Sequence, residues 1–447
     1  MGISYKFLHQ GKLKIMKRIL IATDRKFWRQ EQGSAKRISD LYQYLVRKEF
    51  DVFVFFIGNL TNTEIDLIKL AYNNNFKVFN KGRGFLSIDC NTTATTDILR
   101  KAKILLKNKA RLLKNLLLSN SSKTHKQRSK NIELINFFSQ EHQDYFYTVC
   151  QELKPEAVIV EYIRLAYLVK DFAKFEARPL TLIDTHDVAY QRYQKFQKHG
   201  EAEIKITAEE EKQLLSFFDV ILAIQNKDQE TFKEMLPEQR VIQVGHPSEP
   251  KQHEFLNKLP VNITYVAGPN ASNKRAIAYF MKKVWVKLIA KFQHKIKLHI
   301  VGRICEELTD VEIPANVQLT GWTDDLESVY KEADIVINPV YFGTGLKIKN
   351  IEALCHGKPL VTTTVGAEGL EYGINEAFLV SDHPEKAFKQ ISTLIEDKKA
   401  RKKLSDKAYA FACQNLAADK VYRELYQILN KSNQPIDKQK SYTTPYI

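Results

Sequence analysis

The sequence has little cysteine, no long apolar run and no recognisable export signal. Its 447 residues include five cysteines, Cys90, Cys150, Cys305, Cys355 and Cys413, an odd number with no CxxC spacing. That usage fits a reduced cytosol and excludes an evident structural zinc site. No run of 18 or more apolar residues occurs, so no transmembrane span is expected. The opening Met1-Gly2-Ile3-Ser4-Tyr5-Lys6 lacks the apolar core of a secretory signal and has Lys6 where a myristoylation motif needs Ser or Thr. Helix-turn-helix, zinc-finger and RRM-type aromatic signatures are absent as well, which argues against a nucleic-acid partner. No short repeat is found.

What is present is an ordinary globular composition with a strong positive bias. The chain is 44% apolar and 27% charged, with 20 tyrosines and 25 phenylalanines, and is long enough for two aromatic-rich cores. The formal net charge of +16 favours a polyanionic partner, whether nucleic acid, a nucleotide or an anionic membrane surface. Met16 directly precedes a strong first strand, so residues 1–15 are expected to be a disordered leader or a misplaced start.

Short apolar runs alternate with helical patterns, which predicts an α/β protein with parallel sheets. In the first half strands are expected at Arg18–Thr23, Val52–Ile57, Ala157–Glu161, Thr181–Asp184, Val220–Ile224 and Arg240–Val244, and helices at Asn131–Leu153 and Ala208–Phe217. The breaker-rich Gly245-His246-Pro247-Ser248-Glu249-Pro250-Lys251 reads as a linker. Strands at Ile263–Val266, Leu298–Val301, Val317–Leu319, Ile335–Asn338 and Leu360–Thr362 then build a second unit. The expected organisation is an N-terminal domain at 16–245, a linker at 246–260, a C-terminal domain at 261–430 and a polar tail at 431–447. Two α/β domains joined in this way imply a ligand cleft between them.

The segment Asn338-Pro339-Val340-Tyr341-Phe342-Gly343-Thr344-Gly345-Leu346-Lys347-Ile348-Lys349-Asn350-Ile351-Glu352 carries the densest chemistry. A buried strand ends in a glycine turn, and a helix follows. Gly343 and Gly345 allow a tight turn and close approach to a ligand. The helix start presents free N–H groups and positive dipole, and Lys347 and Lys349 add full charge, so the segment reads as a diphosphate cradle.

Together with Tyr265-Val266-Ala267-Gly268, Asn273-Lys274-Arg275-Ala276, Ile300-Val301-Gly302-Arg303, Leu319-Thr320-Gly321-Trp322-Thr323-Asp324-Asp325-Leu326 and Val365-Gly366-Ala367-Glu368-Gly369-Leu370, this segment resembles the C-terminal domain of the group 1 (family 4) glycosyltransferases. In the first half, Leu182-Ile183-Asp184-Thr185-His186-Asp187-Val188 with Arg192, and Glu209-Glu210-Glu211 with Leu214 and Asp219-Val220-Ile221, resemble the N-terminal domain of the same family. The resemblance covers roughly Arg18 to Leu429. It implies the GT-B fold, in which two Rossmann-like α/β domains face each other across a cleft.

By that resemblance the chain transfers a sugar from a nucleotide-sugar to a glycan or lipid-linked acceptor, with retention and without cofactor or metal. Gly343, Gly345, Lys347 and Lys349 fall where the family holds the diphosphate, and Glu352 where a carboxylate accepts the ribose hydroxyls. Gly268, Arg303 and Glu368 are further candidate donor contacts. His186 stands where a family histidine meets the donor sugar; read alone, it is a structural residue or half a metal site. Without a second His or Cys at ligand spacing, no metal site is expected. Asp187 and Gly33 are assigned to the acceptor side, although Gly33 equally suits a plain loop.

One departure concerns catalysis. The family's usual pair of glutamates is separated by seven residues, yet Thr344 stands eight before Glu352, as in a branch carrying Gly-Ser/Thr-Gly. The resemblance therefore admits two outcomes, an active transferase building lipopolysaccharide or capsule and a non-catalytic GT-B scaffold. A metal-dependent GT-A reading fails, because Asp184-Thr185-His186-Asp187 has the wrong spacing for its Asp-x-Asp.

The stretch Ile98–Leu118 interrupts the α/β alternation. At helical spacing Ile98, Ala102, Leu105, Leu106, Leu112, Leu113 and Leu116 share one face, and Arg100, Lys103, Lys107, Arg111 and Lys114 the other. From Lys101 to Lys130 there are ten Lys and Arg residues and no acidic one. Such a helix either lies on an anionic membrane, on the inner face of the plasma membrane for a cytoplasmic protein, or packs on a core with a solvated basic face. Replacing Lys103, Lys107, Arg111 and Lys114 by Gln is expected to weaken co-sedimentation with anionic vesicles, each basic residue contributing about 1 kcal/mol near the surface. Unchanged co-sedimentation would assign the helix to packing.

Overall fold

The computed structural model describes residues 16–29, 33–90, 132–133, 138–201, 203–255, 258–323 and 325–431. The expected leader at 1–15, the tail from 432 and the basic stretch 98–130 with Arg100, Lys103, Lys107, Arg111 and Lys114 lie outside the described residues.

Among the described residues, ten strands belong to the first half: β1 (Arg18–Thr23), β2 (Asp51–Phe56), β3 (Phe76–Asn80), β4 (Gly84–Ile88), β5 (Ile132–Glu133), β6 (Ala157–Glu161), β7 (Leu180–Asp184), β8 (Ile204–Lys205), β9 (Val220–Ala223) and β10 (Arg240–Gln243). Eight form one sheet in the order β10-β9-β7-β6-β1-β2-β3-β4. All pairs are parallel except β3 with β4, a hairpin on one edge. The sequence reading lacks that hairpin, because Phe76–Asn80 alternates with lysine and Gly84–Ile88 is half exposed. The buried strands are continuous apolar runs because helices cover both faces of the sheet. Side chains alternate between two cores, with Ile19, Ile21, Val52 and Val54 on one face and Leu20, Ala22, Val158 and Val160 on the other.

The second half contributes β11 (Val261–Val266), β12 (Ile296–Val301), β13 (Val317–Gly321), β14 (Ile335–Asn338), β15 (Leu360–Thr362) and β16 (Leu379–Val380), an all-parallel sheet in the order β13-β12-β11-β14-β15-β16. It too has a core on each face. The molecule is therefore a pair of Rossmann-like α/β domains, as expected.

Two segments differ from the sequence reading. The helix expected at Asn131–Leu153 spans Gln140–Leu153, while Ile132–Glu133 pairs with Ile204–Lys205 as a short parallel ladder. The chain end also crosses back. Ala418, Tyr422, Leu425, Ile428 and Leu429 join the N-terminal core, Tyr422 packs on Tyr44 at 4.7 Å, and Lys17 Nζ donates to the carbonyl of Leu429 at 3.2 Å. The last helix, Arg423–Lys431, is amphipathic and is apolar enough on one face to need a core. Sequence position alone assigned it to the nearer domain.

Arg37, on the helix Gly33–Arg47, is 1% exposed and makes two 2.8 Å bonds to the carboxylate of Asp184 at the end of β7. It also donates to the carbonyl of Val244 at 2.8 Å and to that of Gly245, where the linker begins. Replacing Arg37 by Met is expected to destabilise the protein by about 3–5 kcal/mol, because it strands a buried carboxylate. Chemical denaturation should show the loss, and the double variant R37M/D184L should recover part of it.

Candidate active site

In an open parallel sheet the ligand crevice lies beyond the carboxyl ends of the strands, where the strand order reverses. The C-terminal sheet reverses between β11 and β14. From β11 the chain passes through Ala267 and Gly268 into the helix Ala271–Phe280, whose N-cap Asn270 accepts the N–H of Asn273 at 2.8 Å. From β14 it passes through the glycine turn into the helix Ile348–Cys355. That helix begins at Lys347 with no capping side chain; the Asn350 N–H bonds the Lys347 carbonyl at 2.8 Å, and the first-turn amides of Ile348 and Lys349 keep their hydrogen-bonding capacity. Gly345 has φ +70°, and a Cβ there would sit 3.2 Å from the carbonyl oxygen of His186 in the other domain. Both the conformation and the close approach call for glycine.

The two lysines of this segment do different things. Lys347 Nζ folds back on the carbonyls of Gly345 at 2.6 Å and Thr344 at 3.3 Å, and meets Glu368 at 3.4 Å. It braces the turn. Lys349 Nζ lies beneath, 2.6 Å from Asn273 Oδ1 and 4.9 Å over the ring of Tyr265. Burial pushes its ammonium down to about 7, with Lys347 adding to the shift and Glu352 offsetting only part of it. Glu352, 8% exposed, accepts from Tyr330 Oη at 3.1 Å, and burial raises its carboxyl above the usual range. Gly268 receives Asn273 Nδ2 on its carbonyl at 3.0 Å. Arg303 begins the turn after β12, with Nε 3.5 Å from Glu306.

The N-terminal sheet reverses between β1 and β6. Asp24, just past β1, takes two bonds from Arg164 at 2.8 and 2.5 Å, and the Arg164 guanidinium lies 3.8 Å over the ring of Tyr162. On its other side Tyr162 stacks on His186 at 3.8 Å, within 5° of parallel. Both residues have positive φ, +73° at Tyr162 and +64° at His186, strain of the kind that tertiary packing must hold. His186 Nε2 is 2.7 Å from Glu161 Oε2. Burial lowers the imidazole to about 3 and raises Glu161 well above the usual carboxylate range, so desolvation works against the charged form of both partners.

Asp187 follows His186 and accepts from Arg192 at 3.0 Å, and Arg192 also binds Glu203 at 2.5 Å. The helix carrying Arg192 and Lys195, Ala189–Lys198, starts on Glu211, whose buried carboxylate accepts the N–H groups of Ala189 and Tyr190 at 2.9 and 2.8 Å. Glu211 sits in a helix opened by a capping box between Thr207 and Glu210.

The two crevices meet. Thr344 Oγ1 is 3.5 Å from Asp187 Oδ2, Lys195 Nζ is 3.5 Å from Glu368, and Arg275 binds Glu201 at 2.7 Å. The ring of His199 stacks on Phe342 at 4.2 Å. Gly33 lies against the start of the second-domain helix, where a Cβ would come within 2.8 Å of Ile348 Cδ1. The structure thus brings Gly33, His186, Asp187, Gly343, Thr344, Gly345, Lys347 and Glu368 to one junction, with Lys349 and Glu352 lying directly behind it. The His186 side chain is turned inward to Glu161, so its backbone carbonyl is what faces the glycine turn.

Sequence reading missed Glu161, Tyr162, Arg164, Asp24 and Arg37. The residues come from separate strand ends, and only the topology joins them. It also saw no metal-ligand spacing, whereas Glu161, Asp184 and His186 place ligand atoms within 4.8 Å of one another. Arg37 occupies both oxygens of Asp184 and His186 bonds Glu161, so this group is satisfied as an internal charge network, with Glu161 Oε1 left over.

Residues 260–397 match the family model described as glycosyl transferases group 1. Over 230 residues, 48% of this chain and 57% of the other, the sequence is 26% identical to an uncharacterized 44.6 kDa protein in the cps region of Klebsiella pneumoniae. Over 134 residues, 28% of this chain and 20% of the other, it is 31% identical to the poly(glycerol-phosphate) alpha-glucosyltransferase of Bacillus subtilis. The chain thus spans little more than half of the first relative and a fifth of the second. Among solved structures, Anabaena Alr3699/HepE in complex with UDP and glucose superposes with a TM-score of 0.60 at 12% identity, over 93% of this chain and 100% of that one. Residues 260–397 are a group 1 glycosyl transferase domain, and the chain as a whole has the GT-B fold.

Proposed function

We propose that the protein is a glycosyltransferase that moves a sugar from a nucleoside-diphosphate sugar to a glycan or lipid-linked acceptor in bacterial surface polysaccharide synthesis, of the lipopolysaccharide or capsule kind. One observation carries the reading: an uncapped helix start, a glycine turn, a buried lysine and a buried carboxylate converge at the strand reversal of the group 1 domain. Charge that builds on a departing diphosphate would meet helix amides, Lys347 and Lys349 in a site that already holds them in place, which is how preorganised electrostatics lower a barrier. Glu352 would accept the ribose hydroxyls, with Tyr330 fixing its second oxygen. The cps region of the Klebsiella relative and the poly(glycerol-phosphate) alpha-glucosyltransferase of Bacillus subtilis support the acceptor class.

In this proposal the diphosphate charge is met by protein groups and needs no metal ion, the anomeric configuration is retained, and the enzyme works in the cytoplasm, peripherally on the membrane. The N-terminal crevice, with Asp24, Arg164, Tyr162 and Asp187 at its rim, takes the acceptor. Thr344 in place of an acid favours one other reading, a scaffold that kept the fold without turnover.

A panel of UDP-, GDP- and TDP-sugars separates the two. Saturable binding of one donor, with slow hydrolysis or transfer, is expected. Replacing Glu352 by Ala should lower donor affinity by about 1.5–3 kcal/mol, the worth of hydrogen bonds to a charged group. No binding or turnover with any donor sinks the enzyme reading.

Lys349 makes that binding pH-dependent. The complex holds the ammonium, whereas the free protein loses it above about 7. Above that pH the complex carries one proton more than its separate parts, so affinity must fall as pH rises. Calorimetry in buffers of different ionisation enthalpy should show uptake of up to about one proton, with affinity falling by up to about tenfold per pH unit. Replacing Lys349 by Met should flatten the profile.

A further inference from the structure

Behind the donor crevice, where the linker crosses the C-terminal domain, lies a recess to which no role above refers. His253 of the linker, Lys331, Asp334, His356, Lys358 and Lys402 line it. Lys358 is 7% exposed, and its Nζ donates to the backbone carbonyl of Lys331 at 3.3 Å; among the described residues it makes no ion pair. Asp334 is the carboxylate buried alongside, and its Oδ2 accepts the N–H of Asn262 at 2.8 Å. It faces two buried cations, Lys358 and Arg401. Arg401, 2% exposed, spends its Nη1 on the carbonyls of Leu394 and Ile395, and its Nε has no partner. Lys402 is matched by Asp406 at 2.5 Å. Glu254 also lines the recess, but of the buried charges beside it two cations, Lys358 and Arg401, face one carboxylate, Asp334, an arrangement that costs free energy until an anion completes it.

The recess is wired to the ribose carboxylate. His253 Nε2 and His356 Nδ1 are 2.6 Å apart, with their rings parallel within 3°. The ring of Tyr330 lies 4.8 Å from that of His356 at 14°, and its phenol donates to Glu352. The N–H of His356 donates to the carbonyl of Glu352 at 2.9 Å.

We propose that Lys358, Lys331 and the His253–His356 pair form a second, regulatory anion site for a phosphate-type oxyanion, whose occupancy is felt at Glu352 through the row of rings. A phosphate offers acceptor oxygens in several directions at once. The recess offers the matching donors, two ammonium groups and the imidazole N–H of the pair. The group could belong to a soluble phosphate or to a lipid headgroup, and the chemistry recognised is the same. The anion site stands apart from the proposed donor reading, and only its coupling to Glu352 rests on it.

The test uses the full chain with isotope-labelled histidine rings, the His253 signal being assigned with H253Q and the His356 signal with H356Q. Inorganic phosphate is titrated against chloride at equal ionic strength, with phosphatidylglycerol vesicles as a second arm. Saturable movement of the His253 and His356 signals is expected, weakened about tenfold or more in K358M. The exposed variant K331Q serves if K358M does not fold. Movement with free phosphate assigns a soluble anion, and movement with vesicles alone assigns a headgroup; both support the site. Unmoved signals in both arms, or equal phosphate affinity in wild type and variants, overturn it. Saturating phosphate should change UDP affinity by about fivefold in the wild type and leave Y330F unaffected. An unchanged UDP affinity in the wild type overturns the coupling. Failure of every nucleotide to bind would count against the donor reading and leave the ring signals free to decide the anion site.

Discussion

The bidentate pair of Arg37 and Asp184 is the constraint on which the N-terminal half of the site depends. It joins the first helix to the end of β7, and its remaining donors reach the carbonyls of Val244 and Gly245 at the start of the linker. The residues immediately after Asp184 are Thr185, His186 and Asp187, so the pair fixes where the chain leaves the sheet. A buried ion pair of this kind adds little net stability over apolar packing, but it tolerates no other arrangement of its partners. Position is what it supplies. The positive φ of His186, the inward turn of its imidazole to Glu161 and the approach of its carbonyl to Gly345 all follow from that exit point.

The two domains solve the same problem with opposite chemistry. In the C-terminal crevice burial weakens the charged form of both lysines: Lys349 lies on Asn273 with only Glu352 offsetting its burial, and Lys347 is spent largely on carbonyls. In the N-terminal crevice carboxylates are buried. Glu161, Asp187 and Glu211 are all raised by desolvation, and arginines answer most of that charge. An anionic ligand would relieve the first crevice, and hydroxyl donors suit the second. A charged donor and a hydroxyl-rich acceptor facing each other across the junction would therefore each meet the polarity it needs.

The fold was legible because its strands are continuous apolar runs between helices, a pattern that only a doubly covered parallel sheet explains. The hairpin β3–β4 escaped notice because an edge needs no such run. The last helix was assigned to the wrong partner because amphipathicity reveals that a face is buried without saying against what. In the site, the glycine turn, Lys347, Lys349 and Glu352 were legible as neighbours in sequence. The stack of His186, Tyr162 and Arg164 was not, since its members end or follow β6 and β7, which lie side by side only once the strand order is known.

Thr344 shows what the site depends on beyond its own residues. Its hydroxyl meets a carboxylate from the opposite domain, Asp187, at 3.5 Å, a length at which a hydrogen bond contributes little. The junction is held elsewhere, by Arg275 on Glu201, by Lys195 on Glu368, by the face of His199 on Phe342 and by the last helix, whose Tyr422, Leu425 and Leu429 pack into the N-terminal core.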